Sequence, residues 1–345
     1  APSTVTVMGA ELTVLPSAQA DLAAFKVGDK VTLLLTTTGQ VAGAVSPDVA
    51  KSNAVGVAEV KGTTATIKLL DGILTLEGKT TYSEAAAAKL NGCLVTVSSY
   101  KRDYLTLSKV NGKGASTALN LTTNRMGTKE LSAGARFFEQ VSNGRLVEID
   151  RSDITITSIP ANKITYVGYD WAGRVDKLVL NDVTGDCYDY GMIYYRAAGY
   201  EESKDDGSEG SYQNGEIRVT NGSHTDGVSY VVGSVDGAKT NRMGGVAGSL
   251  DQLDGKNRMA AFMPLNEATG IRRAQFDTDA MLLTTNSMVI PISDKVECYN
   301  KTTGDWFKPG EDGDHKAALN LALAFSDDIT VYYDRSPEEG GKVRI

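Results

Sequence analysis

Apolar and polar residues alternate with a period of two in short runs along most of the chain, the pattern of half-buried β-strands. Thr4–Leu15 (TVTVMGAELTVL) reads as one or two strands and Val55–Leu70 (VGVAEVKGTTATIKLL) as two strands about Lys61–Gly62. Cys93–Ser98 and Tyr104–Val110 form a further pair, and Ala135–Gln140 with Leu146–Ile149 a hairpin across Ser142–Gly144. The clearest hairpin is Lys163–Asp182, in which β-branched and aromatic residues flank a turn at Asp170–Gly173. Lys30–Ser46 and Asp328–Ile345 carry the same pattern, so three two-stranded antiparallel hairpins of one kind are predicted.

Eleven Asn-Gly or Asp-Gly pairs punctuate the runs, among them Asp71–Gly72, Asn91–Gly92, Asn221–Gly222 and Asp312–Gly313. Such pairs favour tight hairpin turns, because glycine accepts a positive φ without cost. Helical periodicity is confined to two places. Ser83–Leu90 (SEAAAAKL) has a capping serine and an Asn-Gly stop, and Ala317–Ala324 has Asp314 as its cap. The predicted class is therefore all-β, mainly small antiparallel barrels or sandwiches with a few short helices, in several domains. The expected divisions are 1–115, with the helix at 83–90; 116–200, around the hairpin 163–182; and 201–345, with the helix near 317–324. The Gly-rich, acidic stretch Glu201–Gly215 reads as a loop.

A net charge of −8 and no basic cluster argue against nucleic acid as a partner, which is bound through phosphate neutralisation. No apolar run is long enough to enter a membrane as a helix. Cys93, Cys187 and Cys298 are widely spaced and odd in number, so they read as small apolar residues rather than a disulfide framework or metal site. The two histidines, His224 and His315, lie about ninety residues apart in turn-like contexts; both are expected at the surface, sharing no metal. No phosphate loop, nucleophile elbow or zinc signature occurs, so no catalytic or cofactor-binding residue is assigned and an enzyme is not the expectation.

Three weaker signals remain. Asp205, Asp206 and Glu209, and Glu311, Asp312 and Asp314, lie in Gly-containing acidic loops of the kind that offers oxygen ligands to calcium. Trp171 and Trp306 each follow an aspartate, an arrangement a glycan platform could use, although closing a hairpin or filling a core edge explains them better. Thr4–Val7 and Lys342–Ile345 read as strands whose edges need partners, with Val5, Val7, Val343 and Ile345 on the covered face. Those partners are either a second copy, giving open-ended assembly, or other strands of the same chain.

Phe25–Val45 (FKVGDKVTLLLTTTGQVAGAV), Ile164–Asp186 (ITYVGYDWAGRVDKLVLNDVTGD) and Phe325–Ile345 (FSDDITVYYDRSPEEGGKVRI) resemble the β-rich regions that accompany S-layer homology (SLH) modules in large surface proteins of Gram-positive anaerobes. The helical repeat of the SLH module itself is absent from this sequence. The resemblance implies an extracellular role at the cell surface or cell wall, as a self-associating layer, fibre or stalk component. It carries over no site residues. The alternatives are a carbohydrate-binding or adhesive module for cell-wall polysaccharide, and a glycan-active enzyme with a carboxylate pair that the sequence does not reveal.

Overall fold

The fold is described from a computed structural model covering residues 3–29, 31–45, 54–72, 75–101, 104–110, 115–142, 144–170, 172–199, 201–203, 209–211, 214–233, 238–253 and 255–345. The protein is all-β, with strands arranged in several small sheets and two closed five-stranded barrels. Its contacts gather it into two compact units. The first comprises Ala1–Thr117, Asn124–Ala135 and Tyr166–Leu178; the second comprises Ala118–Thr123, Arg136–Thr165 and Val179–Ile345. The stretch 116–200, expected as one domain, is thus divided between both.

The N-terminal barrel belongs to the first unit. Its strands are Val55–Lys61, Thr64–Leu69, Thr75–Thr80, Leu94–Lys101 and Tyr104–Lys109. They join in the ring order first, second, third, fifth, fourth, and the fourth closes back on the first. All pairings are antiparallel except that of the third with the fifth, which is parallel. Alternation supplies the core: Ala65, Ile67 and Leu69 of the second strand point inward against Ala58, Val95, Leu105 and Leu107, while Thr64, Thr66 and Lys68 point away. A short helix, Glu84–Ala88, joins the third strand to the fourth, as the alanine run predicts; Ser83 stands at its cap position but makes no capping hydrogen bond.

The second unit contains the C-terminal barrel: Asp189–Arg196, Gly215–Thr220, Val228–Val232, Arg242–Leu253 and Lys256–Pro264. Its ring order is the same, again with one parallel pair, third to fifth. This is the connectivity of a five-stranded Greek-key barrel of OB type, present twice. One residue marks the correspondence. In each first strand a glycine lies where that strand is shared between the second and fourth. A Cβ at Gly56 would come within 2.3 Å of the Lys68 carbonyl oxygen, and one at Gly191 within 2.2 Å of the Thr220 carbonyl oxygen. Only a residue without a side chain lets the backbones approach so closely.

Both strands of the first predicted hairpin are present, Thr32–Leu35 antiparallel to Val41–Val45; Lys30 and Ser46 lie outside the described residues. In the second, Ile164–Tyr169 neighbours Val175–Asn181 across a turn closed by Asp170 N–H to Arg174 O (2.9 Å) and Gly173 N–H to Asp170 O (2.9 Å). The third is not the expected two-stranded hairpin: Ile329–Tyr333 is a strand antiparallel to Asn266–Ile271, but the second arm, Lys342–Ile345, makes only isolated bridges at Val343. The run Lys342–Ile345 folds back on Ile329–Tyr333, with the Tyr332 N–H donating to Ile345 O and the Arg344 N–H to Tyr332 O, both at 2.8 Å. The second predicted helix spans His315–Phe325, with the Asp314 carboxylate accepting from Ala317 N–H at 3.1 Å.

Candidate functional site

The last four residues organise the interior of the second unit. Alternation along Lys342–Ile345 sends Val343 into the apolar cluster of Ile290, Ile292, Leu319 and Val331, and Ile345 into the cluster of Tyr188, Tyr190 and Ala247. Lys342 and Arg344 point the other way, into a buried set of acids. Neither backbone edge is left open. On one side Val343 N–H donates to Pro291 O (2.8 Å) and Ser293 N–H to Val343 O (3.0 Å); on the other lie the bonds with Tyr332. Val343 and Ile345, expected as assembly residues with pairing inside the chain as the alternative, are thus covered by their own chain. At the other end Thr4–Val7 pairs with Ala10–Thr13, leaving Val5 and Val7 half-buried.

Arg344 is 2% exposed and uses its whole guanidinium. Nε and Nη2 donate to Asp334 Oδ2 (2.9 and 2.8 Å), Nη1 donates to Asp186 Oδ1 (2.7 Å) and Ser293 Oγ (3.2 Å), and Nη2 also reaches Thr184 O. The Tyr190 ring lies against its face at 4.8 Å. Lys342 Nζ bridges Asp153 (3.2 Å) and Asp186 (3.4 Å), and Arg335 closes on Asp182. The buried Glu139 carboxylate accepts from Val183 N–H, Thr184 N–H and the Thr184 hydroxyl. Burial alone would push the Asp186 carboxyl up, but the charges of Arg344, Lys342 and Lys295 hold it below the ordinary value.

Next to this network is a small polar pocket of about 190 Å³, reached by His224 from the loop between the second and third barrel strands, by Lys295 and Glu297, and by His315 at the helix start. Glu297 ties these elements together. Its Oε2 accepts from Gly222 N–H (2.8 Å) and its Oε1 from Ser223 Oγ (2.8 Å), with His315 Nδ1 3.8 Å from Oε1. Burial pushes the Glu297 carboxyl up, against the opposing pull of its hydrogen bonds and of the two histidines. On the pocket wall Asp189 accepts from the Tyr230 hydroxyl at 2.6 Å. His224 is exposed, as predicted. His315 is not: its side chain is 12% exposed, because the helix start docks its ring on the Val296 carbonyl at 3.1 Å. Two histidines ninety residues apart in sequence thus share one pocket.

Glu297 also lines a second, larger cavity of about 1170 Å³, a mainly apolar cleft between the barrel wall and the helix His315–Phe325.

The weaker signals are distributed as follows. Trp306 is half-buried, its ring tilted against Tyr299 at 4.9 Å and packed against the cluster around Tyr188 and Ile345, which makes it a core-edge residue. Trp171, Asp205 and Asp206 lie outside the described residues; Glu209 falls in strand Glu209–Ser211. Glu311, Asp312 and Asp314 are exposed around the helix start, and Asp314 is its cap. Among the described residues no group of three or more His, Cys, Asp or Glu could hold a metal ion. All three cysteines are free; Cys298 is buried, with its thiol pushed up to about 12 by burial and the Glu297 charge, while Cys93 and Cys187 are half-buried. No described helix is long and apolar enough to cross a membrane. No protein-family model matches the chain, and the comparisons with curated proteins and with solved structures find no match.

Sequence reasoning missed Glu297, Lys295 and the acids around Arg344. The available signal was the final KVRI, two cations alternating with two aliphatic residues. A strand with apolar residues on one face and cations on the other, both faces buried, requires acids opposite.

Proposed function

We propose that the chain is a structural module of a bacterial cell surface, contributing β units to a layer, fibre or stalk, and that it is not a catalyst. The observation that carries this reading is the commitment of the buried acids. Asp186 and Asp334 are neutralised by Arg344, Asp182 by Arg335, and Glu139 is filled by backbone and hydroxyl donors. A general acid or base needs a proton-transfer path to a substrate; these groups spend their hydrogen bonds on holding the chain end. Closed barrels support the same reading, since they remove sheet edges and leave open-edged strands such as Thr4–Val7 as the places for chain-to-chain pairing. Electron microscopy and light scattering of the purified protein test it. Sheets or filaments that disappear on deletion of Ala1–Val7, in a chain that stays folded by circular dichroism, are expected; a monomer at all concentrations contradicts self-association.

A second reading, a module that binds cell-wall polysaccharide, is favoured by the small polar pocket, where His224, Lys295 and Glu297 line a space sized for one small polar group. Binding on a glycan array that is lost in His224→Ala supports it. Turnover of a bound glycan would move the assignment to a glycan-active enzyme.

A further inference from the structure

We infer that the large cleft of the second unit is a binding site for a single-chain amphiphile with an anionic head. The cleft's volume, about 1170 Å³, is somewhat above the range of sites that enclose small molecules, roughly 300–1,000 Å³. Its lining is more apolar than polar, with aliphatic and aromatic side chains in the majority and hydroxyls from residues such as Thr302, Thr330 and Tyr332 among them. Leu319 and Leu323 come from the helix, Met243 and Phe262 from the barrel wall, and Val331 from the strand Ile329–Tyr333. Several of these walls keep exposed surface. Phe325, at the end of the helix, is 69% exposed although its ring lies tilted against Phe307 at 5.7 Å. An alkyl chain gains from burial against the apolar part of these walls.

The rim chooses the head group. Lys239, Arg242 and Lys301 line the cleft, are exposed, and make no ion pair with any described residue, on a chain whose net charge is −8. Two exposed acids share the rim: Glu267, which is hydrogen-bonded to the Tyr332 hydroxyl, and Asp328. Three unpaired cations against these two leave the rim positive. Glu297 also lines the cleft but lies off this exposed rim: it is buried, and its carboxyl oxygens already accept from Gly222 N–H and Ser223 Oγ. The cleft takes the chain, and the cations at its mouth take the carboxylate.

The test uses the full chain and three probes: fluorescent cis-parinarate, dodecanoate and dodecan-1-ol. Dodecanoate displaces cis-parinarate, and the alcohol does so at least tenfold more weakly. Each added methylene tightens binding about fourfold, the equivalent of about 0.8 kcal/mol. The double charge reversal Arg242→Glu with Lys301→Glu, at exposed positions that leave the core intact, removes the preference for the acid and leaves the alcohol unchanged. Ala322→Trp, placed on the cleft-facing side of the helix, abolishes binding of both while the circular dichroism spectrum is retained. Failure of dodecanoate to displace the probe overturns the proposal. So does an acid preference that survives charge reversal, or a folded Ala322→Trp protein that still binds. None of these outcomes depends on whether the chain assembles.

Discussion

The two barrels have the same ring of five strands, the same single parallel pair and the same kind of glycine in the first strand, yet they are held in different ways. The N-terminal barrel relies on its own contents. Its interior is Ala58, Ala65, Ile67, Leu105 and Leu107, and its ion pair Lys68–Glu59 sits on the surface, both side chains well exposed. The C-terminal barrel is tied to elements outside its ring. The Tyr190 carbonyl accepts from Asn221 Nδ2 (2.9 Å), the Tyr190 hydroxyl donates to Gly185 O (2.9 Å), and its ring backs Arg344. The loop after its second strand is fixed by Glu297. A barrel with an apolar interior, tied outside its strands by neutral groups such as Asn91 on Val60 N–H and the Tyr82 hydroxyl on Leu107 O, thus exists in this chain beside one whose surroundings are organised by buried charge. The lesson is that barrel topology does not determine where the electrostatic dependence lies; the elements packed outside the ring do.

Removing one member of a buried, fully paired charge set should have the largest effect. Arg344→Ala leaves Asp334 without its guanidinium partner and Asp186 with Lys342 alone, and is expected to destabilise the second unit by about 3–5 kcal/mol. Chemical denaturation followed by segment-resolved hydrogen exchange reads this out, and protection in Val55–Lys61 should be unchanged. Ile67→Ala is the counterpart in the N-terminal barrel, a cavity substitution of a fully buried side chain costing about 2–5 kcal/mol and confined to that barrel.

The matched glycines sharpen the comparison because they should behave alike. Gly56→Ala and Gly191→Ala each drive a methyl group into a neighbouring carbonyl, at a cost of about 1–3 kcal/mol apiece. A large cost at one position with none at the other would show that the two first strands are not equivalent.

The pH dependence should separate the units next. The folded-state value of Asp186 is depressed, so its contribution is present above its ordinary value of 3.8 and is lost as pH falls through the depressed one. Glu297 has the opposite sign: its folded-state value is raised, so its contribution is complete below the ordinary 4.5 and is lost as pH rises through the raised value. Glu297→Gln should therefore flatten the stability profile of the second unit on the alkaline side of 4.5, measured by thermal denaturation across pH. Lys68→Ala, breaking an exposed pair in the N-terminal barrel, should change stability least, by about 1 kcal/mol or less.

Much of this architecture was legible because strand formation and burial follow the same alternation. Thr64–Leu69 shows its inward Ala65, Ile67 and Leu69 directly, and Asp314 announces a cap before an alanine-rich helix. The repeat was legible only in part. Sequence likeness drew attention to hairpins near residues 30, 163 and 328, whereas the structural repetition lies in the barrels 55–109 and 189–264, which have little wording in common. Ring order depends on long-range pairings, such as Val55–Thr96, that no local pattern encodes. The ion network was hidden for the same reason: Arg344 is 158 residues from Asp186 in the chain. His315 was misplaced because a polar residue at a helix start reads as exposed until the carbonyl it docks on, Val296, is known.

The central claim is that the charged cluster around Arg344 is a structural lock on the second unit rather than a reactive site. Hydrogen exchange of the Arg344→Ala chain against the unsubstituted chain, resolved by segment, tests this most directly. The account predicts accelerated exchange across Asp189–Arg196, Pro291–Ser293 and Ile329–Tyr333, with the N-terminal barrel strands Val55–Lys61 and Tyr104–Lys109 unchanged. Unaltered exchange throughout the second unit would contradict it.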